Sequence, residues 1–211
     1  MIQTLTNQPE TRSLTLKTLE LRTAPEGRSS PGVVTGIAVP YNEWADIGGY
    51  FREQVKPGAF AGKQPDNQFA YRNHNWDDVL GSTQAGTLKF RDSAEGMRFE
   101  VELPDTSVGR DFAVLIQRGD VKGASIGFLV KANEWRFAEK KGEVDERIIT
   151  EAEILEVSLT HIPAYSGTSA SMRSQATESR DLHAAAKEQR AAELAARERE
   201  SLIISFLISR S

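Results

Sequence analysis

The chain contains no cysteine. That absence removes structural disulfides, thiolate metal sites and cysteine-nucleophile chemistry together. Histidine is scarce too: His74, His161 and His183 are the whole supply, with neither HxxxH nor HExxH spacing among them. A zinc site is therefore not expected, and no cofactor of another kind is implied. No apolar run approaches the length, about 20 residues, of a membrane helix. The N-terminus, MIQTLTNQPETRS, lacks the basic-then-apolar layout of a signal peptide, so a cytoplasmic protein without a membrane partner is the expectation. Charge of one sign is not in large excess either. A net charge of -4 and a pI near 5.5 argue against a protein that holds nucleic acid by bulk attraction to phosphate.

What is present is enough for one good core and an appendage, at 211 residues. SLTLKTLELR (13–22) alternates and then slips, which reads as a strand with a bulge. A loop rich in Pro, Gly and Ser leads to a second strand, VVTGIAVP, ended by Pro40. Gly48-Gly49 suggests a turn, and Pro57-Gly58 opens a short helix or tight loop around residues 59–61. Phe69 and Tyr71 alternate with polar neighbours, so His74 falls at or just past a strand end, inside the turn-forming NHNWDD. TLKF and MRFEVEL form a hairpin. DTSVGRDFAVLIQRGD predicts a helix capped by Thr106 or Ser107 and ended by Gly119.

VKGASIGFLV then reads as a strand in which Ser125 sits among Gly123, Ala124 and Gly127. Small neighbours leave room for another backbone to approach the hydroxyl. A hydroxyl is a poor nucleophile without a base, and His74 is the base on offer. Residues 131–146 read as a charged hairpin-like excursion with Trp135 and Phe137 on one side. The strand RIITEAEILEVSLTHIPA follows, with an interruption at residues 151–153 that suits a bulge. On a regular strand Glu156, Ser158 and Thr160 share one face and Val157, Leu159 and His161 the other. An inward Glu156 could hold the His74 ring. His161 is a second candidate for that role, while Asp77 and Asp78 lie so near His74 that shaping its turn is the simpler reading. No G-x-S-x-G elbow occurs, so a nucleophile carried on a β scaffold fits better than an α/β-hydrolase. From residue 174 the composition becomes alanine- and charge-rich, which predicts a long exposed helix without a sustained a/d stripe. The apolar end, LIISFLISRS, is too short to span a bilayer.

FREQVKPGAFAG, NHNWDDVLGST, GASIGF and LEVSLTHIPAY, in that order and at these intervals, resemble the prohead maturation serine proteases of tailed bacteriophages. The resemblance spans roughly residues 14–172. It implies a fold shared with the herpesvirus assemblins: mostly β with peripheral helices, a closed β-barrel protease domain, here followed by the long C-terminal helix. The implied division is a flexible N-terminus (1–12), a protease domain (13–173) and a helical tail (174–211) that contacts scaffold or is removed by self-cleavage. The implied activity is endopeptidase cleavage of scaffold, or of the scaffold-like part of the major capsid protein, and of the enzyme itself. Ser125 then matches the nucleophile and His74 the general base. Glu156 takes the third place, with His161 still open. The implied setting is the host cytoplasm during assembly and then the interior of the immature head, with a homodimer among the expected partners. The competing reading is a non-catalytic assembly or scaffolding protein that retains a degenerate protease domain.

Overall fold

The computed structural model describes residues 9–15, 19–47, 49, 51–138, 143–161 and part of 181–199. In chain order the elements are β1 (Pro9–Thr15), β2 (Glu20–Arg22), β3 (Val33–Pro40), β4 (Ala45–Ile47), β5 (Phe51–Val55) and β6 (Phe69–Arg72). They continue with β7 (Asn75–Ser82), β8 (Leu88–Asp92), β9 (Gly96–Glu102), α1 (Ser107–Arg118), β10 (Gly123–Arg136) and β11 (Asp145–Thr160).

Two sheets form, and among the described residues they do not close into the expected barrel. The larger has seven strands in the order β1-β10-β11-β5-β4, with β6 on β11 and β7 on β6; the smaller has four, β2-β3-β9-β8. Among the described residues no ladder joins them: β1 ends the large sheet beyond β10, and β11 gives its second edge to two separate parallel partners. Its N-terminal part pairs with β5 and its C-terminal part with β6. The sheets meet through one apolar cluster. Val34, Phe99 and Val101 come from the small sheet, Ile126, Phe128, Val157 and Leu159 from the large one, and Phe112 and Ile116 from α1.

Local chemistry accounts for the elements that sequence alone anticipates. The Thr106 side chain accepts from the Gly109 N–H, and Gly119 takes the left-handed conformation at φ 80° that ends α1. The β8–β9 hairpin pairs as expected. The hairpin expected at residues 131–146 forms: residues 131–136 continue the Ser125 strand and pair antiparallel along β11, out to Arg136 opposite Glu146. Trp135 and Phe137 do share a side, with stacked rings 6.2 Å apart. The ladder carries three irregularities, leaving Leu155, Lys131 and Thr150 without a partner residue in the register. The bulge at Leu155 lets Ile154 and Val157 both enter the core while Glu156 keeps to the opposite face.

Strand β1 begins at Pro9, inside the segment expected to be flexible. Two buried ion pairs hold it there: Glu10 meets Arg147 of β11, and Arg12 meets Glu53 of β5. The long C-terminal helix is not established. Residues 187–194 are helical and exposed, and the Arg190 guanidinium lies 5.4 Å from the Phe137 ring centroid. Part of the turn after Phe137, Pro163, the boundary near residue 173 and the apolar end of the chain lie outside the described residues.

Candidate active site

Strand alternation sorts β10 into two rows. Ala124, Ile126 and Phe128 enter the core, and Ser125 and Gly127 take the other face. Antiparallel pairing sets Ser125 opposite Ser158 and Gly127 opposite Glu156. The parallel pairing of β11 with β6 adds Tyr71 beside Ser158 and Phe69 beside Glu156. Directly opposed residues in a sheet share a face with Cβ atoms about 5 Å apart. One face therefore carries Ser125, Ser158, Glu156, Tyr71 and Phe69. The shared face expected for Glu156 and Ser158 is the one observed.

His74 reaches this face through an unusual turn. Arg72 and Asn75 are paired, so Asn73 and His74 alone make the loop between β6 and β7, with φ of 49° and 59°. Positive φ at both central residues is the mark of a type I′ hairpin turn, where glycine usually takes the second position that His74 holds here. Two bonds to β11 hold the turn down: the Asn73 N–H donates to the Leu159 carbonyl at 3.0 Å, and the His74 N–H to the Ser158 hydroxyl at 3.2 Å. A strained backbone fixed this way over-determines where the ring points.

The ring meets a carboxylate. His74 Nδ1 lies 3.2 Å from Glu156 Oε1, and Glu156 Oε2 accepts a 2.7 Å bond from the Ser158 hydroxyl. A proton on Nδ1 shared with the carboxylate leaves Nε2 as the basic nitrogen. His74 is partly open to solvent and Glu156 mostly covered. Burial, and then the charge of Glu156, push the Tyr71 phenol up from its ordinary pKa. The remaining candidate, His161, turns to Asn73 instead, with Nδ1 3.2 Å from the Asn73 side-chain oxygen. Asp78 is occupied by Arg72 and Asn75, which fits its reading as a turn-shaping residue.

Ser125 is 1% exposed, and its hydroxyl donates to the Arg12 carbonyl of β1 at 3.2 Å. Its glycine neighbour acts on the site as well as on the strand. A Cβ at Gly127 would come within 3.0 Å of the Glu156 side chain, so the missing methyl is space that Glu156 fills. Two features escaped the sequence reading. Ser158 was placed on the right face without a role, and the cover that β1 gives to Ser125 left no local signal, because it depends on pairing across more than a hundred residues.

No curated protein and no solved structure matches the chain. A family model does: that of the caudovirus prohead serine proteases, aligned over residues 17–182. The match takes in most of the chain and every residue of the site just described except those of β1. On that match, the chain belongs to the caudovirus prohead serine protease family.

Proposed function

We propose that the protein is a serine endopeptidase of phage head maturation in which Ser125 is the nucleophile, His74 the general base and Glu156 the group that orients it. The observation that carries the reading is the Glu156 carboxylate on Nδ1 of His74, on the sheet face that also bears Ser125. In the chemistry this supports, His74 Nε2 takes the Ser125 hydroxyl proton as Oγ attacks the peptide carbonyl. The imidazolium then gives that proton to the departing amine, leaving an acyl-serine. Water repeats the sequence, frees the carboxylic acid and restores the serine. Glu156 offsets the charge on the imidazolium and keeps its tautomer.

The substrates are the scaffold or the scaffold-like part of the major capsid protein, and the chain itself, encountered inside the immature head after assembly in the host cytoplasm. The enzyme works there as a homodimer, without nucleic acid, membrane or cofactor. Residues 174–211 serve as the segment that contacts scaffold during incorporation. Normal packaging of a chain lacking them, co-expressed with capsid protein, would contradict that role.

A second reading has one specific observation in its favour. The Ser125 hydroxyl is covered by β1 and donates to a backbone carbonyl, as it would in an assembly protein that has lost catalysis. A fluorophosphonate probe separates the two. Covalent labelling of the wild type that disappears in Ser125→Ala, together with loss of capsid-protein processing by that variant, supports the enzyme. Processing by Ser125→Ala at the parental rate refutes it.

A further inference from the structure

The proposed triad leaves one buried polar side chain of the site unexplained. Ser158 is fully buried, lies directly opposite Ser125 in the β10–β11 ladder, and uses its hydroxyl twice. It donates to Glu156 Oε2 at 2.7 Å and accepts from the His74 N–H at 3.2 Å. Glu156 Oε1 meets Nδ1 of the same histidine. The contacts close a ring that runs from the His74 backbone through Ser158 and Glu156 to the His74 side chain.

We propose that Ser158 is a positioning residue of the protease: a second serine, never acylated, that holds base and carboxylate in one fixed relation to the nucleophile. The inference rests on the enzyme reading above. Its logic is that of donor and acceptor. The turn amide of His74 needs an acceptor and the second oxygen of Glu156 needs a donor, and a hydroxyl is the smallest group that supplies both. Alanine supplies neither. The need is acute because His74 sits at φ 59°, a conformation that a non-glycine residue keeps only when its surroundings enforce it. With that amide released the turn relaxes toward ordinary values and carries the ring with it. With Oε2 released, Glu156 can rotate away from Nδ1. Either movement misplaces the base, and a misplacement of about 1 Å costs about 10²-fold in rate.

The same geometry argues against Ser158 as the nucleophile. Its proton is committed to a carboxylate that already serves the histidine ring, and its oxygen carries the His74 amide. Ser125, one strand over, stands in the small-residue setting that a reacting serine needs.

The test measures the rate constant for fluorophosphonate labelling of the full chain, so it does not depend on knowing the natural substrate. The proteins are wild type, Ser158→Ala, Ser158→Thr, Glu156→Gln and the double variant Ser158→Ala/Glu156→Gln, with the thermal midpoint of each recorded alongside. Ser158→Ala is expected to label about 10–10²-fold more slowly, still at Ser125, and Ser158→Thr to recover much of that loss. The double variant is expected to be hardly slower than Glu156→Gln alone, because groups acting as one unit are strongly non-additive. A merely structural serine would lower the midpoint and leave the two losses additive. Should Ser158→Thr fail to fold around its extra methyl, the double variant still decides. Labelling of Ser158→Ala at the wild-type rate, or fully additive losses, overturns the positioning role while leaving the enzyme reading intact. A wild type that neither labels nor processes capsid protein overturns both.

Discussion

Arg147→Ala tests how the sheet is held together beneath the site. Arg147 is 3% exposed. It reaches Glu10 with two bonds of 2.8 Å and Glu53 with one of 3.0 Å. Arg12 touches both carboxylates from the other side, at 2.8 Å to Glu53 and 2.6 Å to Glu10. Two arginines and two glutamates thus balance in charge while tying β1, β5 and β11 together. Removing Arg147 leaves two buried carboxylates facing a single guanidinium. Breaking a buried pair from one side costs about 3–5 kcal/mol, a large part of the 5–15 kcal/mol or so that stabilises a typical domain. At about 2–4 °C per kcal/mol for a chain of this size, the thermal midpoint should drop by about 6–20 °C. Arg147→Ala/Glu10→Gln restores the charge balance and should regain part of the loss. The pH dependence has a definite sign. Burial opposes the charge on Glu10, but the hydrogen bonds and charges of Arg147 and Arg12 outweigh it and hold that carboxyl below its ordinary pKa. Stability from such a group is fully present above the usual carboxylate range and is lost as pH falls through the lowered value. The gap between wild type and Arg147→Ala should therefore narrow on acidification. Thermal and urea unfolding followed by circular dichroism, at neutral and acidic pH, reads both effects. A midpoint within about 2 °C of wild type, or a double variant no more stable than the single one, would show that the cluster does not anchor β1.

Two further substitutions probe the site. Gly127→Ala places a Cβ 3.0 Å from both Cγ and Oε1 of Glu156, so that side chain must give by a few tenths of an ångström beside the His74 ring. Labelling of Ser125 should slow, by less than the about 10²-fold of a full 1 Å misplacement, with little change in the thermal midpoint, and an unaltered rate would mean that Glu156 has room the geometry does not show. Glu156→Gln keeps the side-chain shape but removes the charge that stabilises an imidazolium. The loss in rate should be about 10²–10⁴-fold, smaller than that of Ser125→Ala, and a full-rate enzyme would point to another group as the orienting partner.

Sequence alone determined much that is local. The caps of α1, the β8–β9 hairpin and the turn character around His74 all follow from short-range backbone preference and apolar period. The order of the four motifs carried the family as well. The closed barrel came with the resemblance, not from the period of any strand, and it did not form among the described residues. Tertiary structure decided which residues meet. The parallel seating of β6 on β11 brings the Asn73-His74 turn to Ser158, and the bulge at Leu155 aims Glu156 at the imidazole while Ile154 and Val157 stay in the core. The first depends on a pairing between segments more than eighty residues apart, the second on how the two long strands of one hairpin register against each other. No local window encodes them, because the free energy that selects one register over another lies in the packed core and in hydrogen bonds that exist only after the strands have met.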